Sequence, residues 1–375
     1  MRRLFVFIYE HQNWTRFTWS DKDISGILAR ICFLQGKLTG ILSAIGFDVR
    51  KETDFESLSQ EILKSNEIEG VMLNTQEVRS SVARRLDFDF KKSLPTNHLL
   101  DGIVDMMLDA TQNCSQPMTV ARLCAWHASL FPTGYSGMTP IKAGQLRDDA
   151  LGEMQVVSYK GSTEVVHYQA PAASELPKLL EDFCNYINGE IKIPLPIKAA
   201  IAHLWFVTLH PFEDGNGRIA RAVTEFVLSH GEDTPCRFYS MSGQIQKDKK
   251  NYYLTLEATQ RGTSDITLWL KWFLTTLWKA LQAAEKTLES ISVKARFWQS
   301  HAGENFTEEQ KKILNMLLDG TMRGQLTSSR WAKICKTSQD TAIRHIKDLQ
   351  TRSILIQEGA GRSTHYRLSK NAIGS

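Results

Sequence analysis

The chain lacks the usual marks of a disulfide scaffold, a zinc module, a membrane protein or a repeat array. Its six cysteines (32, 114, 124, 184, 236 and 335) form no CxxC pair and sit near no histidine cluster. That spacing excludes a zinc ribbon and a disulfide framework, and reduced thiols in a cytoplasmic compartment are expected. The opening MRRLFVFIYEHQNW has basic residues, but Glu10 breaks its apolar run too early for a signal peptide. The later stretch DITLWLKWFLTTLWKAL is interrupted by Lys271 and Lys279 and falls short of a membrane span, so no membrane partner is expected. No internal repeat and no low-complexity segment is present.

What remains is an ordinary globular composition, 42% hydrophobic and 23% charged, in 375 residues. That length exceeds one usual hydrophobic core and favours two or three domains. The net charge of +4 is unevenly placed. From Phe306 to Ser375 twelve Lys/Arg face six Asp/Glu, giving +6 there and −2 over the rest. The C-terminal stretch is the basic part of the chain.

Helical periodicity dominates. Ser20 is placed to cap a helix that runs toward Gly46, and further helices fit FESLSQEILKSNEI, TQEVRSSVARRL, NHLLDGIVDMMLDATQN and MTVARLCAWHASLF. MQVVSYKGSTEVVHYQAP then changes texture: β-branched and aromatic residues flank Lys160-Gly161, which predicts a β-hairpin. Helices resume through ELPKLLEDFCNYING and IKAAIAHLWFVTLH and again after Gly217. A long helix from near Asp265 ends in WQSHAGENFT, the expected linker.

The chemistry concentrates in His210 to Arg221, HPFEDGNGRIAR. Gly215-Asn216-Gly217 stands where a helix starts, so free amides and the positive end of the helix dipole meet there, and an anion is expected. Arg218 and Arg221, three apart, share a face of that first turn and can fork onto the same guest, for which polyphosphate is the natural choice. Magnesium usually accompanies phosphates and takes one carboxylate; Glu213 or Asp214 can serve, and Asp214 adjoins the turn. His210 precedes a proline that keeps its imidazole at the loop edge, where it can accept a proton from an attacking hydroxyl. Phe212 is expected to anchor the loop.

HPFEDGNGRIAR resembles the Fic signature HPFx(D/E)GNGRxxR at every specified position, and the resemblance extends over most of residues 100–290. It implies a mainly α fold: an N-terminal helical region (1–99), a Fic core (100–295) with a small β-hairpin flap, and a further C-terminal domain (306–375). It also implies a protein adenylyltransferase that moves AMP from ATP, with Mg2+, onto a Ser, Thr or Tyr hydroxyl of a target protein. Carried over by position, His210 is the general base and Asp214 the metal ligand. Gly215, Asn216 and Gly217 form the phosphate cradle, and Arg218 and Arg221 hold the outer phosphates. The hairpin, residues Val157, Ser158, Tyr159, Lys160, Gly161, Ser162 and Thr163, lies where the family has its target-binding flap.

Downstream, SMSGQIQKDKKNYYLTLE resembles SxxIxxxRxxYY with Lys249 where arginine is common, which suggests Tyr252 or Tyr253 against adenine with Asn251 beside them. Upstream, SNEIEG fits the inhibitory pattern (S/T)xxxE(G/N) on a helix of about 57–70. The resemblance then pairs Glu69, with Ser65, to Arg221 and restrains γ-phosphate placement. Alternatives stay open: a nucleotide-sensing, DNA-binding transcriptional regulator, a Fic enzyme with another nucleotide donor, or removal of AMP from targets. His127 and His203 read as buried helix residues with satisfied nitrogens.

The basic stretch resembles a winged helix, with a recognition helix from about Ser338 to Arg352 and a wing turning at Gly359 to Gly361. Arg344, Lys347, Arg352, Arg362 and Arg367 would meet DNA phosphates, with Gln339, Thr341 or His345 near base edges; docking onto protein is the other use of such a module. A homo-oligomer also stays open.

Overall fold

The structure, a computed structural model, describes residues 6–372 apart from 45–46, 89, 91–93, 96, 151, 162, 191, 231–237, 323 and 370–371. Gly46, Cys236 and Ser162 of the sequence reading therefore lie outside the described residues, as does the Arg362 side chain. Cys32, Cys124, Cys184 and Cys335 are free thiols. The chain divides into two compact units, Met1–Ala283 and Ala284–Ser375.

The first unit opens with α1 (Asp21–Ala44), α2 (Phe47–Ile68), α3 (Thr75–Arg85), α4 (His98–Gln112) and α5 (Val120–Leu130). Two hairpins follow, β1 (Tyr135–Ser136) with β2 (Thr139–Pro140) and β3 (Gln155–Lys160) with β4 (Thr163–Gln169), both antiparallel. Then come α6 (Leu176–Asn188), α7 (Leu195–Leu209), α8 (Asn216–His230), α9 (Met241–Lys247), α10 (Lys249–Gln260) and α11 (Thr267–Ser300), whose residues from Ala284 on belong to the second unit. The mainly helical class and the hairpin are as expected from the sequence.

Helix α1 is long and apolar enough to cross a membrane by length and composition over Asp21–Ser43, which the sequence reading did not single out. In the fold Ile24, Ile31, Leu34, Leu38 and Leu42 are buried at helical intervals, so one face of α1 packs while the rest meets solvent.

Helix α7 is the axis of this unit. It is apolar all round, and every residue from Pro196 to Leu209 is buried, including Lys198, whose ammonium donates to the carbonyls of Ile187 (2.8 Å) and Gly189 (3.0 Å). The aromatic N-terminal segment closes one side, with Trp14 meeting Trp205 edge to face at 5.6 Å. From α11, Trp269 donates its indole N–H to the Ala200 carbonyl at 2.8 Å.

Helix α2 is fixed to the start of α9 by a charge. The Glu61 carboxylate, almost wholly buried, accepts from the Ser240 hydroxyl (2.6 Å), the Ser242 amide (3.0 Å) and the Ser242 hydroxyl. Nearer the end of α2, Glu67 accepts from Gln246 at 3.0 Å.

The second unit comprises α12 (Glu308–Leu318), α13 (Ser328–Cys335), α14 (Gln339–Thr351) and the hairpin β5 (Leu355–Glu358) with β6 (His365–Leu368). Thr307 and Gln310 cap α12 reciprocally. Lys336, in the left-handed region at φ 55°, ends α13, and the Ser338 hydroxyl caps α14. Ile313, Leu314, Trp331, Ile346 and Leu349 form its core.

Two expectations are corrected here. Trp298 to Thr307 is not a free linker: α11 runs unbroken to Ser300, Phe297 is fully buried in the second unit's core, and Trp298 donates to Asn315 at 3.0 Å. His345 does not approach base edges, because it is buried against Trp331. Arg352 is engaged with Asp348 and Glu304, and Arg367 with Glu358. Arg344, Lys347 and Gln339 remain exposed.

Candidate active site

The loop from His210 to Gly215 joins α7 to α8. His210 ends α7 in the left-handed region (φ 47°, ψ 56°), a conformation that costs a non-glycine residue free energy and must be held from outside. Arg147 does this. Its amide donates to the Pro211 carbonyl (3.0 Å) and its Nε to the His210 carbonyl (2.7 Å), while its other donors reach Pro171 (2.6 Å) and Asp149 (3.0 Å).

His127 on α5 holds the other end. Its Nδ1 accepts from the Gly144 amide (2.9 Å), so its proton sits on Nε2 and donates to the Asp214 carbonyl (3.2 Å). The ring stacks on fully buried Phe212 at 4.2 Å, which makes Phe212 the expected anchor. Burial pushes the His127 pKa down to about 4 against the pull of Asp214, so the ring stays neutral. The Asn216 side chain closes the turn, accepting from the Phe212 amide (3.0 Å) and donating to its carbonyl (2.7 Å). Asn216 thus turns its side chain toward the loop, and only its backbone faces the helix start.

His210 is half-buried, and its Nδ1 faces the Val207 carbonyl at 3.3 Å. A carbonyl only accepts, so Nδ1 carries the proton and Nε2 keeps its lone pair. Burial lowers the His210 pKa to about 4, partly opposed by Val207. The imidazole is a neutral base across the physiological range.

A cavity of about 720 Å³ opens on this base, lined by His210, Asp214 to Gly217, Glu69, the flap strand β3 and the face of α10 that carries Tyr252 and Tyr253. Helix α8 begins at Asn216, so its first amides have no intrahelical acceptor. Gly215 needs its φ of +79°, and a Cβ there would meet the Phe131 ring at 2.9 Å.

Arg221 is buried. Its Nε donates to the Ser65 hydroxyl, and its Nη2 donates to the Ser65 carbonyl and the Glu69 carboxylate, each at 2.8 Å. Burial works against the charge of Arg221, but the Glu69 carboxylate together with Tyr252 and Tyr253 outweighs it, and the pKa is raised. A Cβ on Gly217 would stand 2.2 Å from the Glu69 carboxylate oxygen, so that carboxylate fills the notch the glycine leaves. One Nη1 of Arg221 and the Nε of Arg218 are buried without an acceptor. Two cationic donors left open beside a helix N-terminus make a site short of negative charge.

Asp214, its side chain 46% exposed, lines the cavity and accepts from Ser136. Glu213 is engaged elsewhere, accepting from the Lys142 amide at 2.8 Å. Among the described residues no three His, Cys, Asp or Glu side chains converge as a protein-built metal cage. A lone carboxylate at an anion site suits magnesium, which arrives with phosphate oxygens and water.

The structure brings Tyr252 and Tyr253 to the cavity but not Asn251, whose exposed amide is tied to Asp248 at 2.6 Å. Tyr252 is buried, its hydroxyl 2.9 Å from His203 Nε2, and His203 Nδ1 lies 2.9 Å from Thr224. Tyr253 is exposed, and burial of its hydroxyl end beside the Glu69 carboxylate pushes its pKa up to about 12. Of the flap, Val157 and Ser158 line the cavity; the side chains of Tyr159, Lys160 and Thr163 lie outside the described residues. Arg147 and Ser136 escaped the sequence reading, and no local pattern marks either.

Comparison with known proteins agrees with this geometry. Residues 117–228 match the Fic/DOC family, and residues 7–88 match a domain of unknown function. The chain is 26% identical over 216 residues to a protein adenylyltransferase Fic of Nematostella vectensis, covering 55% of this chain and 44% of that one. It is 25% identical over 217 residues to one of Aedes aegypti, covering 56% and 39%. The chain thus spans less than half the length of these relatives. In fold it is similar to a Fic family protein from Desulfovibrio desulfuricans (TM-score 0.54, 19% identity, covering 93% of this chain and 96% of that one). It is also similar to a Fic domain containing signaling protein from Bacteroides thetaiotaomicron (TM-score 0.53, 18% identity, 69% and 98%). With the signature loop, the helix-start anion site and these likenesses together, the chain carries a Fic domain over residues 117–228.

Proposed function

We infer that the chain is a protein adenylyltransferase that transfers AMP from ATP to a Ser, Thr or Tyr hydroxyl of a target protein and is restrained by Glu69. One observation carries this reading: a neutral His210 with a free Nε2 lines the same cavity as a helix start beside which two buried arginine donors lack acceptors.

His210 Nε2 takes the proton of the target hydroxyl as that oxygen attacks the α-phosphorus. The α8 amides cradle the phosphates, while Arg218 and Arg221 hold the charge carried away on pyrophosphate. Asp214 would hold a magnesium ion, which supplies charge neutralisation on the phosphates. Tyr253 offers a ring face to the base. The flap is a two-stranded sheet, so each strand keeps an edge on which a target segment can add as a strand. Glu69 occupies the anion notch at Gly217 and one fork of Arg221, and a triphosphate must displace it to be held productively.

The test is transfer of label from each α-labelled nucleoside triphosphate, with Mg2+ and cell extract, by wild type, Glu69→Gly and His210→Ala. The reading expects ATP to be preferred, Glu69→Gly to be the most active and His210→Ala to be inactive; labelling undiminished in His210→Ala overturns it. The exposed Arg344 and Lys347 of α14 extend the reading to a DNA partner for the second unit. Binding to duplex DNA that does not weaken steeply with added salt would count against phosphate contacts.

A further inference from the structure

The flap carries a second hydrogen-bonded chain that the reading above does not use. Strand β3 pairs Val156 with Tyr168 and Val157 with Val166, so His167 is the extra residue of a β-bulge with no partner across the ladder. A bulge breaks the alternation of side chains and re-aims the residue it adds. Here it brings the His167 ring to Ser158, with Nε2 2.7 Å from the serine hydroxyl oxygen, while Nδ1 lies 2.9 Å from Glu257 Oε2 on α10.

The proton positions follow from the partners. The Glu257 carboxylate only accepts, so Nδ1 of His167 carries the ring proton; Nε2 of the neutral ring then accepts, and the Ser158 hydroxyl donates to it. Arg261 pairs with the other Glu257 oxygen at 2.9 Å and donates to the Val166 carbonyl at 2.9 Å, fixing the carboxylate beneath the strand. This is the serine, base and orienting carboxylate order of an activated nucleophile. Ser158 is exposed, and all three residues line the cavity that His210 opens on.

We propose that Ser158 is a nucleophile activated by His167 and Glu257 and is the chain's own acceptor of the nucleotidyl group. The Ser158 oxygen bonds to the α-phosphorus of a nucleoside triphosphate, its proton passes to His167 Nε2, and the bond to the β-phosphate oxygen breaks to release pyrophosphate. The cavity contains an anion site at the start of α8 with two buried arginine donors left open, so the electrophile it suits is phosphorus. Ser158 lies on the flap, and a nucleotidyl group there would occupy the strand that target segments are expected to join.

The transfer half of this inference rests on the adenylyltransferase reading; the nucleophile half does not. The full-length Glu69→Gly protein is incubated with ATP and Mg2+, and peptides are examined by mass spectrometry. The expected result is an AMP adduct on Ser158, reduced at least 10-fold in His167→Gln and in Glu257→Gln. In parallel, wild type and the two variants are treated with a fluorophosphonate, a phosphorus electrophile that needs neither nucleotide nor metal. Labelling at Ser158 that falls with His167→Gln is expected. An adduct on other residues of the chain but not on Ser158, or Ser158 labelled equally in His167→Gln, overturns the proposal. If ATP labels nothing at all, the adenylyltransferase reading fails, and the fluorophosphonate result alone decides whether Ser158 is an activated nucleophile.

Discussion

Replacing Glu69 by glycine removes the carboxylate that faces Arg221 at 2.8 Å and fills the notch at Gly217. Helix α2 ends at Ile68, so the new glycine falls outside the helix interior, where its flexibility costs little. A hydrogen bond to a charged group contributes about 1.5–3 kcal/mol net, and loss of one partner from a fully buried pair costs about 3–5 kcal/mol. The Glu69 side chain is 30% exposed and Arg221 keeps both contacts to Ser65, so the lower range applies. The variant should melt a few degrees lower without nucleotide. A triphosphate that no longer displaces a carboxylate recovers the same free energy, equivalent to about a 10- to 150-fold gain in labelling efficiency. Initial rates with α-labelled ATP give the gain, and thermal melts with and without ATP and Mg2+ give the stability change. Equal rates for the two proteins, with equal stabilisation by nucleotide, would refute the reasoning.

Other outcomes follow from the same geometry. With the His210 pKa near 4, and lower still once the Glu69 carboxylate that raises it is gone, kcat/KM of the Glu69→Gly protein should stay level from neutral pH down to about 5; a fall with a midpoint at the ordinary histidine value of about 6.5 would argue for another base. His127, His203 and His210 all have folded pKa values lowered by burial, to about 4, 3 and 4, so the unfolded chain binds more protons than the folded one below pH 6.5. Stability should therefore drop as pH falls from 6.5 toward 4, each histidine adding a slope of up to about 1.4 kcal/mol per pH unit, and denaturant midpoints at pH 7 and 5 measure it. Arg147→Lys keeps the charge but cannot reproduce the fork onto His210, Pro171 and Asp149. Labelling should drop at least about 10-fold while nucleotide affinity changes little, as judged by kcat against KM.

The sequence displayed its chemistry best where the participants are neighbours in the chain. HPFEDGNGRIAR contains the base, the turn and both arginines within twelve residues, and Ser65 and Glu69 are one helical turn apart, so spacing alone announced them. The hairpin showed through its Lys160-Gly161 turn. What holds the loop did not show, because Arg147, Ser136 and His127 reach it over separations of 63, 78 and 87 residues, and single side chains carry no mark of so distant a partner. The sequence pattern groups Asn251 with Tyr252, yet adjacent residues of a helix point in different directions, and of these two only the tyrosine turns inward. His345 is expected near base edges from its place on the recognition helix, but its helical spacing between Ala342 and Leu349 puts it on the buried face of α14.

The buried Glu61 carboxylate sets a limit on how the proposed restraint by Glu69 could be lifted. Three donors at the start of α9 satisfy its charge, and pulling α2 away as a rod would strip all of them at once. The cheaper movement lies past the last turn, where Gly70 with φ near +80° allows the chain to pivot and swing Glu69 aside while the rod stays bolted down. An activator of this protein would then need to grip only a few residues, those just beyond Ile68.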